Sequence, residues 1–237
     1  GTVALPAHDA TGTTNLSGTS GKVALQTSTT AIVGACPAGS TADLVGYGST
    51  ASTNNFCFEG AGPTAQLGAS TAALRKRGGC YDTDNNSADF SVTSPQPRNS
   101  ASPTRSCTPV PVTISQIQGA GLASPLAGQD VSTTGIVTAR KSNGFFMQTP
   151  DASIDADAQT SEGIFVFTSV APVAAVGDAV GVVGTATELF NLTQIDASLP
   201  GDVSVITSGN PLPAPVTLTP AILDPAGTPT QLERFEG

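Results

Sequence analysis

The chain has 237 residues, among them 26 Gly and 18 Pro, with 11% charged residues, no Trp and a formal net charge of −9. Such a composition makes short strands and many turns rather than long helices, and a mean hydropathy of +0.08 separates it from disordered acidic tails. The charge sets aside a basic nucleic-acid module as a first expectation, and the single histidine, His8, excludes a multi-His zinc site.

In chain order, residues 22–26 (KVALQ) predict a strand and residues 42–46 (ADLVG) a second, closing on the turn Gly46-Tyr47-Gly48. Residues 71–77 read as a strand or one helical turn. These strands are too few to close a sheet, so the first strands of this region are expected to precede Gly1. No Met and no basic n-region open the chain, and no signal peptide is expected within it. Cys36, Cys57, Cys80 and Cys107 form no C-x-x-C pair. An even count in a Lys-poor, Thr/Ser/Gly-rich chain predicts two disulfides and secretion. Four cysteines allow three connectivities; Cys36–Cys57 with Cys80–Cys107 is favoured, since sequence neighbours close local loops.

Residues 93–112 carry five prolines and read as a stiff linker, with a boundary near residue 110. The regions are then 1–108, 109–209 and a Pro-rich tail, 210–237, leading towards a further domain. Up to residue 110 six cations balance six acids; beyond it three cations face twelve acids. The second region reads as β: a lead-in strand at 112–117, a strand at 131–140, a positive-φ hairpin turn at Ser142-Asn143-Gly144, then strands at 145–148, 163–167, 179–186 and 203–206. Five or six short, Gly-punctuated strands fit a small β-barrel of the OB type, with a sandwich as the alternative. No run of about 18 apolar residues is present to span a membrane.

Several stretches carry a family resemblance. Lys22-Val-Ala-Leu, Asp43-Leu-Val-Gly-Tyr-Gly, the run RKRGGCYDTDNNSADF at 75–90, and Pro97-Arg-Asn-Ser resemble a bacterial lamin-tail domain. The resemblance implies the C-terminal portion of an immunoglobulin-like sandwich. Thr113-Ile-Ser-Gln-Ile-Gln-Gly, Gly144-Phe-Phe-Met-Gln-Thr-Pro-Asp, Ser161-Glu-Gly-Ile-Phe-Val-Phe and Val176-Gly-Asp-Ala-Val resemble the OB-fold domain of extracellular endonucleases of the ExeM/NucH type. In that family both modules precede an endonuclease/exonuclease/phosphatase-type catalytic domain, and residues 232–237 (LERFEG) look like the start of the next segment. The family's Gly-Asp-Phe-Asn and Ser-Asp-His stretches do not occur here, so no catalytic residue is assigned. The resemblance implies an all-β, secreted, non-catalytic region that positions or tethers a catalytic domain on the same polypeptide near DNA. The alternative is a cell-surface adhesion or structural module with calcium-stiffened loops.

Three sets of side chains are candidate sites. Asp82, Asp84, Asn86 and Asp89 place oxygens at alternating positions, as a Ca²⁺ loop begins, but Ser87 stands where such a loop carries Gly; an Asx-rich turn explains the same residues. Asp151, Asp155 and Asp157, with Glu162, make a second acidic loop and a second Ca²⁺ candidate. For nucleic acid, Phe145 and Phe146 fall on opposite faces of one strand, so one of them is expected on the surface for base stacking. Phe165 and Phe167 share a face, expected in the core. Arg140 and Lys141 stand beside the hairpin turn within reach of phosphate, and Arg75, Lys76 and Arg77 form the one basic run. P-loop, dinucleotide and nucleophile-elbow fingerprints fail.

Overall fold

A computed structural model describes residues 6–34, 36, 37, 39, 41–48, 57–219 and 229–237. The chain is mostly β and divides into two compact units, Gly1–Cys107 and Thr108–Gly237.

In the first unit, β1 (Ser20–Gln26) pairs antiparallel with β2 (Thr41–Gly48), Lys22 opposite Gly46. Leu44, Gly46 and Tyr47 are buried on β2. Gly46 is required by close approach: a Cβ there would collide with the Cys57 carbonyl and with Phe58. β3 (Ala72–Arg75) pairs antiparallel with β4 (Phe90–Thr93). The link between them contains a one-turn helix, α1 (Asn86–Asp89). The disulfides are Cys36–Cys57 and Cys80–Cys107, the pairing of sequence neighbours, and no cysteine is free. They span 21 and 27 residues, and each contributes about 3 kcal/mol by restricting the unfolded chain.

In the second unit, β5 (Val110–Pro111) leads into α2 (Ile114–Gln118). A strand was expected at 112–117. The helix wins because Thr113 and Gln116 form a capping box, each side chain accepting from the other residue's backbone N–H. Ile114 and Ile117, one turn apart, then face the core. There follow β6 (Asp130–Lys141), β7 (Gly144–Gln148), β8 (Gly163–Phe167), β9 (Ala179–Leu189), β10 (Leu192–Asp196) and β11 (Val203–Thr207).

The hydrogen-bonded order β6-β7-β8-β10-β9 closes on itself through β9–β6, making a five-stranded barrel. Within the ring the β8–β10 pairing is parallel and the others antiparallel. β6 serves two neighbours: 130–136 pair with β9, and 136–141 with β7 after a register shift at 137–139. That bend is where one sheet turns into the next. β5 flanks β6, and β11 flanks β9. Strand alternation sends Phe145 and Met147, Ile164 and Val166, Val180 and Val182 into a buried core closed by α2.

The hairpin at Ser142-Asn143 uses no positive φ. The turn with two positive-φ residues lies instead at Phe190 (54°) and Asn191 (63°), between β9 and β10. The tail folds back onto this unit: the Ala214 N–H donates to Asp151, and residues 229–235 form a 3-10 turn. No helix among the described residues is long and apolar enough to cross a membrane.

Candidate nucleic-acid interface

The outer surface of β6–β7–β8 gathers aromatic side chains. Because Phe145 and Met147 point inward, Phe146 and Gln148 point outward. On β8, Ile164 and Val166 occupy the core, so Phe165 and Phe167 lie on the outside. Phe165, at 4% exposure, meets the expectation of burial for that pair, although on the face opposite the central cluster; Phe167, half-buried, does not. The strand GIFVF is apolar on both faces, and its own periodicity names neither as the core.

Register then builds the patch. Phe146 stands opposite Phe165, their rings 4.9 Å apart and tilted by 51°. The Lys141 ammonium sits 5.2 Å from the Phe165 ring, a cation–π contact. Gly144, beside Lys141, leaves room for that ring: a Cβ at 144 would lie 2.5 Å from Phe165 Cζ. Phe165 is therefore covered, at 4% exposure, while Phe146 and Phe167 stay half-buried and open to solvent. Gln194 extends the row across β10, opposite Phe165. Phe145 is fully buried and belongs to the core.

Arg140 is committed elsewhere. It pairs with Phe145 across β6–β7, and its guanidinium donates to the Pro172 carbonyl. Asp178, whose carboxylate accepts from the Ala175 N–H, closes the same 168–178 loop. The bond from Ala175, that from Ser208 and the nearby Arg140 charge hold Asp178 below the ordinary aspartate pKa.

Two side chains of the first unit's basic run, Arg75 and Lys76, are engaged within that unit. Arg75 is turned inward, its side chain 12% exposed. It donates to both Asp43 oxygens at 2.8 and 2.7 Å, pairs with Asp82 at 2.6 Å and lies 4.6 Å over the Phe90 ring. Lys76 donates to the Ala88 carbonyl. These two cations stitch β2, β3 and the 82–89 segment together. Arg77 takes φ 50° at the turn that follows.

The 82–89 loop is closed by its own hydrogen bonds. Asp89 accepts from Thr83 Oγ at 2.6 Å, Thr83 N at 3.0 Å and Asn85 N at 3.1 Å. Asp82 accepts from the Asp84 N–H, and Asp84 sits at φ 53°. Asn86, fully buried, accepts from Gly46 N and Glu59 N and donates to the Leu44 carbonyl and to Glu59. In the second acidic loop, Asp155 accepts from Asp157 N, Asp157 from Gln159 N, and Glu162 from Asp155 N. Bonds from Ser115 and Asp157 hold Asp155 below the ordinary value. Among the described residues no group of three or more His, Cys, Asp or Glu is arranged to hold a metal ion.

Burial alone would raise the Asp89 pKa, but the Thr83 and Asn85 bonds and the Arg75 charge outweigh it and hold it below the ordinary value of 3.8. A depressed carboxyl contributes stability above its unfolded pKa and loses it as pH falls through the folded value. The first unit is therefore expected to loosen below about pH 4, with Asp89→Asn lowering its stability at pH 7 and flattening that acid limb. Urea titrations at pH 3 and pH 7 check this; equal acid sensitivity in the variant would refute it.

No protein-family model and no curated protein matches the chain. The site therefore rests on its own geometry: an outer barrel face with one covered and two accessible phenylalanines, a lysine and two glutamines. Phe190 was not singled out from sequence, yet it is 97% exposed at the β9–β10 tip. Its neighbour Asn191 gave the only local signal, since Asn tolerates the left-handed region.

Proposed function

We propose that the chain is a non-catalytic accessory region of a secreted endonuclease, whose barrel face contacts DNA while helping to position a catalytic domain. The observation that carries this reading is the barrel itself: strand order β6-β7-β8-β10-β9, one parallel pair, and a long first strand shared between two neighbours. That connectivity is the one expected of an OB-type barrel, the fold implied by the resemblance to ExeM/NucH-type endonucleases. Its aromatic face lies on the strands where such barrels stack bases. The first unit is read as the lamin-tail, immunoglobulin-like part. Secretion is supported by the two disulfides, which fit an oxidising, extracytoplasmic environment.

The acidity of the second unit bounds the strength of the contact. With Lys141 as the cation seated on the aromatic face, one or two phosphates are neutralised, and log K against log salt has a slope of about −1 on single strands. Stacking supplies about 1–3 kcal/mol per base. Labelled oligo-dT at low salt is expected to bind the intact chain weakly. Phe146→Ala is expected to weaken it at least fivefold, and Lys141→Ala to flatten the salt slope. The protein alone is expected not to cut DNA with Mg²⁺ or Ca²⁺. Metal-dependent cleavage that survives repurification, or binding indifferent to Phe146, would overturn the reading.

A further inference from the structure

The parallel β8–β10 ladder covers only Phe165–Phe167 against Gln194–Asp196. Just before it, the strands are bridged by Glu236 and Gly237. The Thr193 N–H donates to Glu236 Oε1 at 2.8 Å, and Ser161 Oγ donates to the Glu236 carbonyl. Gly237 lies directly against the Gly163 and Ile164 backbone, where a Cβ on Gly237 would collide and one on Gly163 would be tight. Arg234 reaches the Ala158 carbonyl. The segment 234–237 thus closes one side of a cleft of about 480 Å³, whose other walls are the 154–163 loop and Pro213, Ala214, Val216 and Leu218.

Carboxylates crowd this wedge. Thr193 is held twice, its N–H by Glu236 and its hydroxyl by Glu188 at 2.8 Å, so the two carboxylates flank one residue. Glu188 also accepts from the Ser124 N–H, while its second oxygen is buried with no hydrogen-bond partner, as is one oxygen of Glu162 at the cleft. Glu233 and Arg234 stand on the same turn as Glu236. The Arg234 guanidinium lies 4.7 Å over Phe235.

We propose that residues 232–237 are a pH-sensitive strap, which docks between Thr193 and Gly163 ahead of the β8–β10 ladder in acid and undocks, opening the cleft but leaving the ladder paired, as pH rises. Protonated Glu236 still accepts the Thr193 N–H through its carbonyl oxygen, and it no longer repels Glu188 and Glu233. Burial, with the Glu233 and Glu188 charges behind it, outweighs the Thr193 N–H bond, which favours the carboxylate, and raises Glu236 above its ordinary value of 4.5. A group with a raised bound-state pKa contributes its full docking stability below the free value and loses it as pH rises through the raised one. The strap is independent of the nucleic-acid reading and stands or falls without it.

Amide hydrogen exchange at Thr193 in the intact chain tests this between pH 4 and pH 8, corrected for the intrinsic rate. The wild-type protection factor is expected to fall at least tenfold across that range while that of Ile195, further along β10, holds. Glu236→Gln, a neutral mimic that still accepts the bond, should keep Thr193 protected at both ends. Glu236→Ala should leave it unprotected at both. Glu188→Gln should shrink the wild-type slope, giving a second test if either Glu236 variant folds poorly. Flat wild-type protection, a Glu236→Gln profile that tracks wild type, or parallel loss at Ile195 would each overturn the strap.

Discussion

Asn86→Ala is expected to destabilise the first unit by about 3–5 kcal/mol, the largest effect of any single polar replacement there. The side chain is wholly buried and works as a strand edge made from one amide. It satisfies Gly46 N at 2.7 Å, Glu59 N at 3.2 Å and the Leu44 carbonyl at 2.9 Å. Alanine leaves three backbone groups without partners, and each orphaned buried group costs about 1–3 kcal/mol. Asn86→Asp separates hydrogen bonding from charge. It keeps both acceptor contacts, loses the donor to Leu44, and sets a carboxylate against Glu59, which burial and Asp43 already raise above its ordinary pKa. Its penalty should therefore grow as pH rises, while that of Asn86→Ala stays level. Urea unfolding at pH 5 and pH 8, with amide exchange at Gly46 and Glu59, reads both. A loss under about 1 kcal/mol for Asn86→Ala would show that water replaces the amide without strain.

The second large effect separates two adjacent phenylalanines. Phe145→Ala is expected to cost the barrel about 3–5 kcal/mol, because it removes a large side chain at 0% exposure from between Met147, Val166 and Ile195 on a shared face. Phe146→Ala is expected to cost only about 1 kcal/mol, the scale of one aromatic pair, since it gives up the tilted contact with Phe165 and little else. The nucleic-acid effect should run the other way: Phe146→Ala weakens oligo-dT binding, and Phe145→Ala changes it only as far as the barrel unfolds. Exchange protection of the β8 amides alongside anisotropy measures both axes. Equal destabilisation by the two variants would mean that the alternation on β7 is misplaced.

Much of the barrel was legible from sequence. Strands with one clear apolar face, such as 179–186 with Val180, Val182 and Ala186 at alternate positions, announce both their existence and their orientation. The failures have local causes. The segment after Val112 carries β-branched residues, and these mask a capping box at Thr113 and Gln116 that stabilises a short helix. Asn143-Gly144 matches the strongest hairpin signal, yet the left-handed turn is made by Phe190-Asn191, where propensity argues against a bulky aromatic. Phe165 is buried as expected, but a strand apolar on both sides hid which face it shares with the half-buried Phe167. The run Arg75-Lys76-Arg77 reads as a basic surface, but a run of charges does not reveal the partners that folding brings to Arg75 and Lys76. Asp43 lies 32 residues before Arg75 and absorbs its guanidinium. Only the pairing of neighbouring cysteines followed directly from chain connectivity.

Both cystines lie in the first unit and neither in the second. The first unit otherwise shows, among its described residues, two separate two-stranded ribbons, an arrangement that is marginal in water without a covalent tie. The second has a closed ring and a continuous apolar core. The two halves are therefore expected to answer differently to a thiol reductant: the barrel should keep its structure, while its neighbour, deprived of both ties, should loosen.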